Sequence, residues 1–123
     1  MKTGLMAVAL VGMLGSGGAI AKVGTGNELI KACADAVKTM DGGNSNSEFG
    51  IGYCLGLTKG VRQALIIVDE DVPQLGKICF PDEISNGQGM RIVLKYLQDN
   101  PDKLQQIDSV LAYAAYRAAY RCK

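Results

Sequence analysis

Four cysteines, Cys33, Cys54, Cys79 and Cys122, all lie downstream of an apolar N-terminal stretch, and this arrangement restricts the chain more than any other feature. Lys2 supplies a short positive region, Gly4 to Ile20 is apolar and small, and Ala19-Ile20-Ala21 forms an A-x-A cleavage pattern. The pattern predicts a cleavable signal peptide over residues 1–21, cut between Ala21 and Lys22. As a membrane span the stretch is too short, at about seventeen residues, and too rich in glycine. The domain that remains, residues 22–123, is about a hundred residues long and has a limited core. An even cysteine count in a short exported chain points to a disulfide framework in an oxidising compartment. A zinc site has little support, because the chain has no histidine and no C-x-x-C pair.

Charge and composition narrow the function classes. Against thirteen basic residues stand twelve acidic ones, and loss of Lys2 with the leader brings them level. A nucleic-acid binder needs a basic surplus, so no nucleic-acid partner is expected. Without histidine, Ser-His-Asp and Cys-His nucleophile systems are excluded. Asp69-Glu70-Asp71 is the one acidic cluster, and repulsion within it favours a solvated loop. The glycines at 50, 52, 56 and 60 lack the lysine and the strand-to-helix context of a phosphate loop. No enzyme activity, cofactor or metal is expected.

Periodicity predicts helices throughout the domain. Leu29, Ile30, Cys33, Val37 and Met40 recur at helical steps after a Thr25–Glu28 capping box, and Asp41 to Ser47 is a breaker-rich loop. A second helix is expected from about Ser47 to Val68, capped by Ser47 or Ser45. Gly52, Gly56 and Gly60 form a smooth stripe on it, costing about 1 kcal/mol each relative to alanine. Close packing of another helix on that stripe is the expected compensation. Asp69 to Pro81 reads as an irregular connector with an apolar plug at Ile78-Cys79-Phe80. Ser85 and Gln88 cap a third helix that stops near Asp99 or Asn100, before Pro101. Pro101 is expected to open a fourth, with Asn100 as N-cap and Leu104, Ile107, Leu111, Ala114, Ala115 and Ala118 as its inner face.

Two helical hairpins follow, and they favour one of three possible cysteine connectivities. Cys33 and Cys54 sit level across the first hairpin, while Cys79 and Cys122 mark the two ends of the second. The expected fold is therefore all-α: a small four-to-five-helix domain stapled by Cys33–Cys54 and Cys79–Cys122. On the last helix Tyr113, Tyr116 and Tyr120 recur beside Arg117 and Arg121. Tyrosine and arginine dominate protein interfaces, which makes Tyr113, Tyr116, Arg117 and Tyr120 candidates for partner contact.

Cys33, Gly52-Tyr53-Cys54-Leu55-Gly56, Cys79-Phe80-Pro81, Tyr96-Leu97, Pro101 and Ala118-Ala119-Tyr120-Arg121-Cys122 occur in one order behind an export signal. In that order the chain resembles the Rap/Tai family of small helical periplasmic immunity proteins. The resemblance covers nearly all of residues 22–123. It implies a protein that binds a peptidoglycan-amidase effector of type VI secretion and inhibits it stoichiometrically by occluding its active site. It also implies a periplasmic location, a tendency to form a homodimer and no stable membrane association after cleavage. Members often end in an aromatic-proline-cysteine triplet where this chain has Tyr120-Arg121-Cys122, and here the connector carries Asp69, Glu70 and Asp71. That acidic group is a second candidate surface, suited to steering a basic partner. The alternative reading is a general envelope-stress or acid-stress chaperone that opens when its carboxylates are protonated.

Overall fold

The computed structural model describes residues 24–45, 47–71 and 77–123, so the expected leader and its cleavage site lie outside the described residues. The described residues form four α-helices: α1 (Gly26–Met40), α2 (Glu48–Asp71), α3 (Asn86–Asp99) and α4 (Asp108–Ala119), with a 3-10 turn at Pro101–Lys103. The helix α1 packs on α2 and α3, while α3 and α2 both pack on α4. The core is one cluster that includes Leu29, Cys33, Cys54, Val93, Leu97, Leu111 and Tyr116. Both expected disulfides are present, Cys33–Cys54 joining α1 to α2 and Cys79–Cys122 joining the segment before α3 to the end of α4.

Local chemistry sets the helix ends. The Thr25 N–H donates to Glu28 Oε2 at 2.9 Å, completing the capping box of α1. At its other end Gly42 takes a positive φ of 88°, a conformation open to glycine, and the chain reverses there. Ser47 Oγ accepts from the Gly50 N–H at 3.0 Å and starts α2. Ser85 Oγ does the same for the Gln88 N–H at 3.1 Å and starts α3.

Three expectations need correction. The fourth helix begins at Asp108, not at Pro101. The intervening residues instead serve α1: the N–H groups of Gly26 and Asn27 donate to the carbonyls of Gln106 and Leu104, each at 3.0 Å. A helix N-terminus leaves such donors orphaned, and satisfying two of them holds residues 104–107 out of helical geometry. The inner face of α4 shifts accordingly to Asp108, Leu111, Ala112, Ala115 and Tyr116, leaving Ile107 exposed.

Second, α2 runs on to Asp71, so Asp69-Glu70-Asp71 forms its last turn and not a loop. Third, Gly52, Gly56 and Gly60 do not receive one of these helices, since among the described residues a Cβ added at any of them would meet nothing within 4 Å. The buried stripe of α2 is Cys54, Thr58 and Arg62. It is offset from the glycines by two residues, about 200° around the helix, so anchoring Cys54 on α1 turns the glycines outward. By length and composition α2 is apolar enough to span a membrane. Its disulfide to α1 and its buried polar stripe make it a helix of this domain.

Arg62 is buried with no carboxylate partner among the described residues. Its guanidinium donates to the carbonyls of Ile84 and Ser85 at 3.1 and 3.3 Å and to Asn86 Oδ1 at 2.9 Å. It thereby fixes the entry of α3 against the middle of α2.

Candidate partner-binding site

Phe80 follows Cys79 and packs edge-on against the Tyr116 ring at 5.4 Å and tilted against the Tyr120 ring at 5.5 Å. The apolar plug expected at Ile78 to Phe80 thus seats against the C-terminal half of α4, with Ile78 buried. Ile78 and Arg121 form an isolated antiparallel bridge, and the Cys79 N–H donates to the Tyr120 carbonyl at 2.9 Å. Together with Cys79–Cys122, these contacts hold Lys77 beside the end of α4.

The result is an open groove of about 750 Å³. Its walls are Tyr113, Ala114, Arg117 and Ala118 from α4, Arg121 and Cys122 beyond it, Lys77 from the plug segment, and Tyr96 and Lys103 from α3 and the 3-10 turn. Tyr113, Arg117 and Arg121 stand four residues apart and share one side of the chain as it leaves the helix. Lys103 Nζ lies 5.8 Å from the centre of the Tyr96 ring, a cation–π distance. Among the described residues no carboxylate belongs to the lining.

The sequence-predicted residues fall into different environments. Tyr113 and Arg117 line the groove. Tyr116 does not: it is fully buried, and its hydroxyl donates to the Thr58 carbonyl at 2.9 Å. A partner cannot reach it, so its assignment to a contact surface is withdrawn in favour of a core role. Tyr120 is half-buried under Phe80, and its hydroxyl oxygen is buried with no hydrogen-bond partner among the described residues. Burial raises the pKa of both phenols. Asp69 and Asp71 are exposed at the end of α2 and are not part of the groove lining. Sequence reasoning does not single out Lys77 or Lys103. The signal for Lys77 was the cysteine pairing itself, which brings the residues before Cys79 to those before Cys122.

A second cleft, of about 570 Å³, opens between α1, the start of α2 and the start of α4, and includes Glu28, Phe49, Tyr53 and Asp108. Here the Tyr53 hydroxyl donates to Asp108 Oδ2, while Asp108 Oδ1 accepts from the Ser109 N–H at 2.6 Å. Burial, reinforced by the Asp108 carboxylate, raises the Tyr53 pKa. The Tyr53–Asp108 hydrogen bond ties α2 to the start of α4, and the Ser109 bond is local to the first turn of α4. Among the described residues no group of three or more His, Cys, Asp or Glu side chains is placed to hold a metal.

A sequence model of the family described as Rap1a immunity proteins matches residues 25–122. The matched span runs from the N-cap of α1 to the last cysteine and so includes all four helices and both disulfides. No curated protein and no solved structure gives a significant match.

Proposed function

The chain belongs to the family of Rap1a immunity proteins, and from that premise we propose that it neutralises a peptidoglycan-amidase effector delivered by type VI secretion. The observation that carries this reading is the family match across the whole disulfide-stapled domain. The protein acts by binding: one copy covers the effector's active site and excludes peptidoglycan, with no turnover. Two disulfides fit an exported protein, and the proposed location is the periplasm, after removal of residues 1–21. Arg117 and Tyr113 on the exposed side of α4 are the proposed contact residues. The acidic end of α2 at Asp69 to Asp71 acts at longer range, attracting a basic partner. Exposed Phe49, Ile66 and Ile67 on α2 provide the apolar surface for the dimer that the family resemblance implies.

The test is a pull-down with the exported, oxidised protein from envelope extracts of bacteria with an active type VI system, read by mass spectrometry. Recovery of one amidase at equal stoichiometry, and loss of its peptidoglycan hydrolysis in the complex, is the expected outcome. Recovery of many unrelated clients, with binding that rises in acid, would overturn immunity and support a stress chaperone.

A further inference from the structure

We infer that the groove beside α4 receives an extended, carboxylate-rich segment of the protein partner; this rests on the effector-binding reading above. Lys77, Lys103, Arg117 and Arg121 bring four positive charges into one cleft from three separate parts of the chain, and no carboxylate among the described residues lines it. None of the four takes part in an ion pair among the described residues, whereas Arg91 and Lys95 are each matched to an aspartate. Like charges gathered without counter-charges repel one another, and an anionic ligand relieves that repulsion.

The shape selects the class of ligand. A groove of about 750 Å³ with cations spread along it is larger than a single phosphate or sulfate can span. Nucleic acid is disfavoured because the chain as a whole carries a formal charge of only +1, with twelve acidic residues outside the groove to repel a long polyanion. A short run of Asp or Glu meets the charges locally. Apolar or aromatic residues interspersed in it meet the faces of Tyr96 and Tyr113. The groove is also built to hold its shape, since the wall bearing Lys77 is fixed to α4 by a disulfide, a backbone hydrogen bond and the packing of Phe80. Such preorganisation lowers the ordering cost of binding.

The experiment titrates the isotopically labelled, oxidised protein with a synthetic peptide alternating glutamate with alanine, and with its lysine-for-glutamate counterpart. With the acidic peptide, amide shifts should centre on Tyr96, Lys103 and Tyr113 to Cys122, and affinity should fall as salt rises. The lysine peptide should leave the spectrum unmoved. Arg117→Glu with Arg121→Glu should weaken the acidic peptide at least tenfold while the melting temperature is retained, both side chains being exposed. Shifts centred on other cations such as Lys31 or Lys59, or a muropeptide or single-stranded oligonucleotide moving these amides where the acidic peptide does not, would overturn the inference. The same double variant is then used against the amidase recovered by pull-down. Undiminished effector binding overturns the groove's role and leaves the immunity reading intact. Failure to recover any effector, with acidic-peptide binding to the groove preserved, overturns the immunity reading and leaves the acidic specificity standing.

Discussion

The outward glycines of α2 offer a direct test of how the helix is oriented. Replacing Gly52, Gly56 and Gly60 together by alanine should stabilise the protomer. All three sit within the helix, and among the described residues an added Cβ at each meets nothing within 4 Å. Nothing therefore opposes the intrinsic gain of about 0.8–1.0 kcal/mol per glycine-to-alanine exchange, or about 2.5–3 kcal/mol for the three. For a domain of this size that corresponds to a rise in Tm of about 10–20 °C. Gly26→Ala is the internal contrast: its Cβ would lie 2.5 Å from Leu111 Cδ1 and 2.9 Å from Leu104 Cα. It should lose about 1–3 kcal/mol to overpacking. Urea melts monitored by circular dichroism, run at a dilution where any dimer covering α2 dissociates, separate the two responses. A triple variant that melts at or below the parent would refute the reasoning, because it would require a helix or chain segment packed against that face within the protomer.

The two tyrosines around Phe80 should respond differently to loss of their hydroxyls. Tyr116→Phe removes the bond to the Thr58 carbonyl and should cost about 1–2 kcal/mol, whereas Tyr120→Phe removes a buried hydroxyl with no partner among the described residues and should be neutral or stabilising in urea melts. Alkaline pH should also destabilise the fold. The phenols of Tyr53, Tyr116 and Tyr120 have pKa values raised above the ordinary 10.0, so above pH 10 the unfolded chain loses these protons before the native one, and stability falls as pH rises. Phenolate absorbance should report late ionisation of these side chains, coincident with unfolding; early titration of these three tyrosines in the native protein would contradict this. Removing the second disulfide by Cys79→Ala with Cys122→Ala should cost about 4 kcal/mol by loop entropy. It should also weaken acidic-peptide binding, because Lys77 is no longer held beside Arg121.

What the sequence makes legible is what local chemistry decides. The Thr25–Glu28 box, the Ser47 and Ser85 caps and the reversal at Gly42 depend on residues a few positions apart, and each stands where periodicity and capping place it. Both cysteine pairs follow from two hairpins with cysteines level across them. The start of α4 is not legible in this way. Asn100-Pro101-Asp102 is a sound local signal for a helix start, yet it opens only a 3-10 turn. Carbonyls at 104 and 106 are drawn to the distant donors of α1. A long-range hydrogen bond has no sequence period, so propensity alone gives no warning of it.

The glycine stripe shows the opposite case, in which the information was present and its consequence lay one step further on. Once Cys54 pairs with Cys33, the face of α2 bearing Cys54 must look toward α1, and positions two residues away must look outward. The same face carries Thr58 and Arg62, whose polar character disguises it as surface, although Thr58 returns its hydroxyl to the Cys54 carbonyl and Arg62 is consumed by the entry of α3. The groove obeys the same logic. Tyr113 and Arg117 are visible as a helical stripe, but a stripe binds little without an opposing wall, and that wall comes from the second disulfide, which carries Lys77 to Arg121. Burial of Tyr116 beneath the same cluster anchors the α4 side of the groove to α2. The cysteines that make so small a domain stable thereby position its cations for a partner, and loss of one function on reduction should be accompanied by loss of the other.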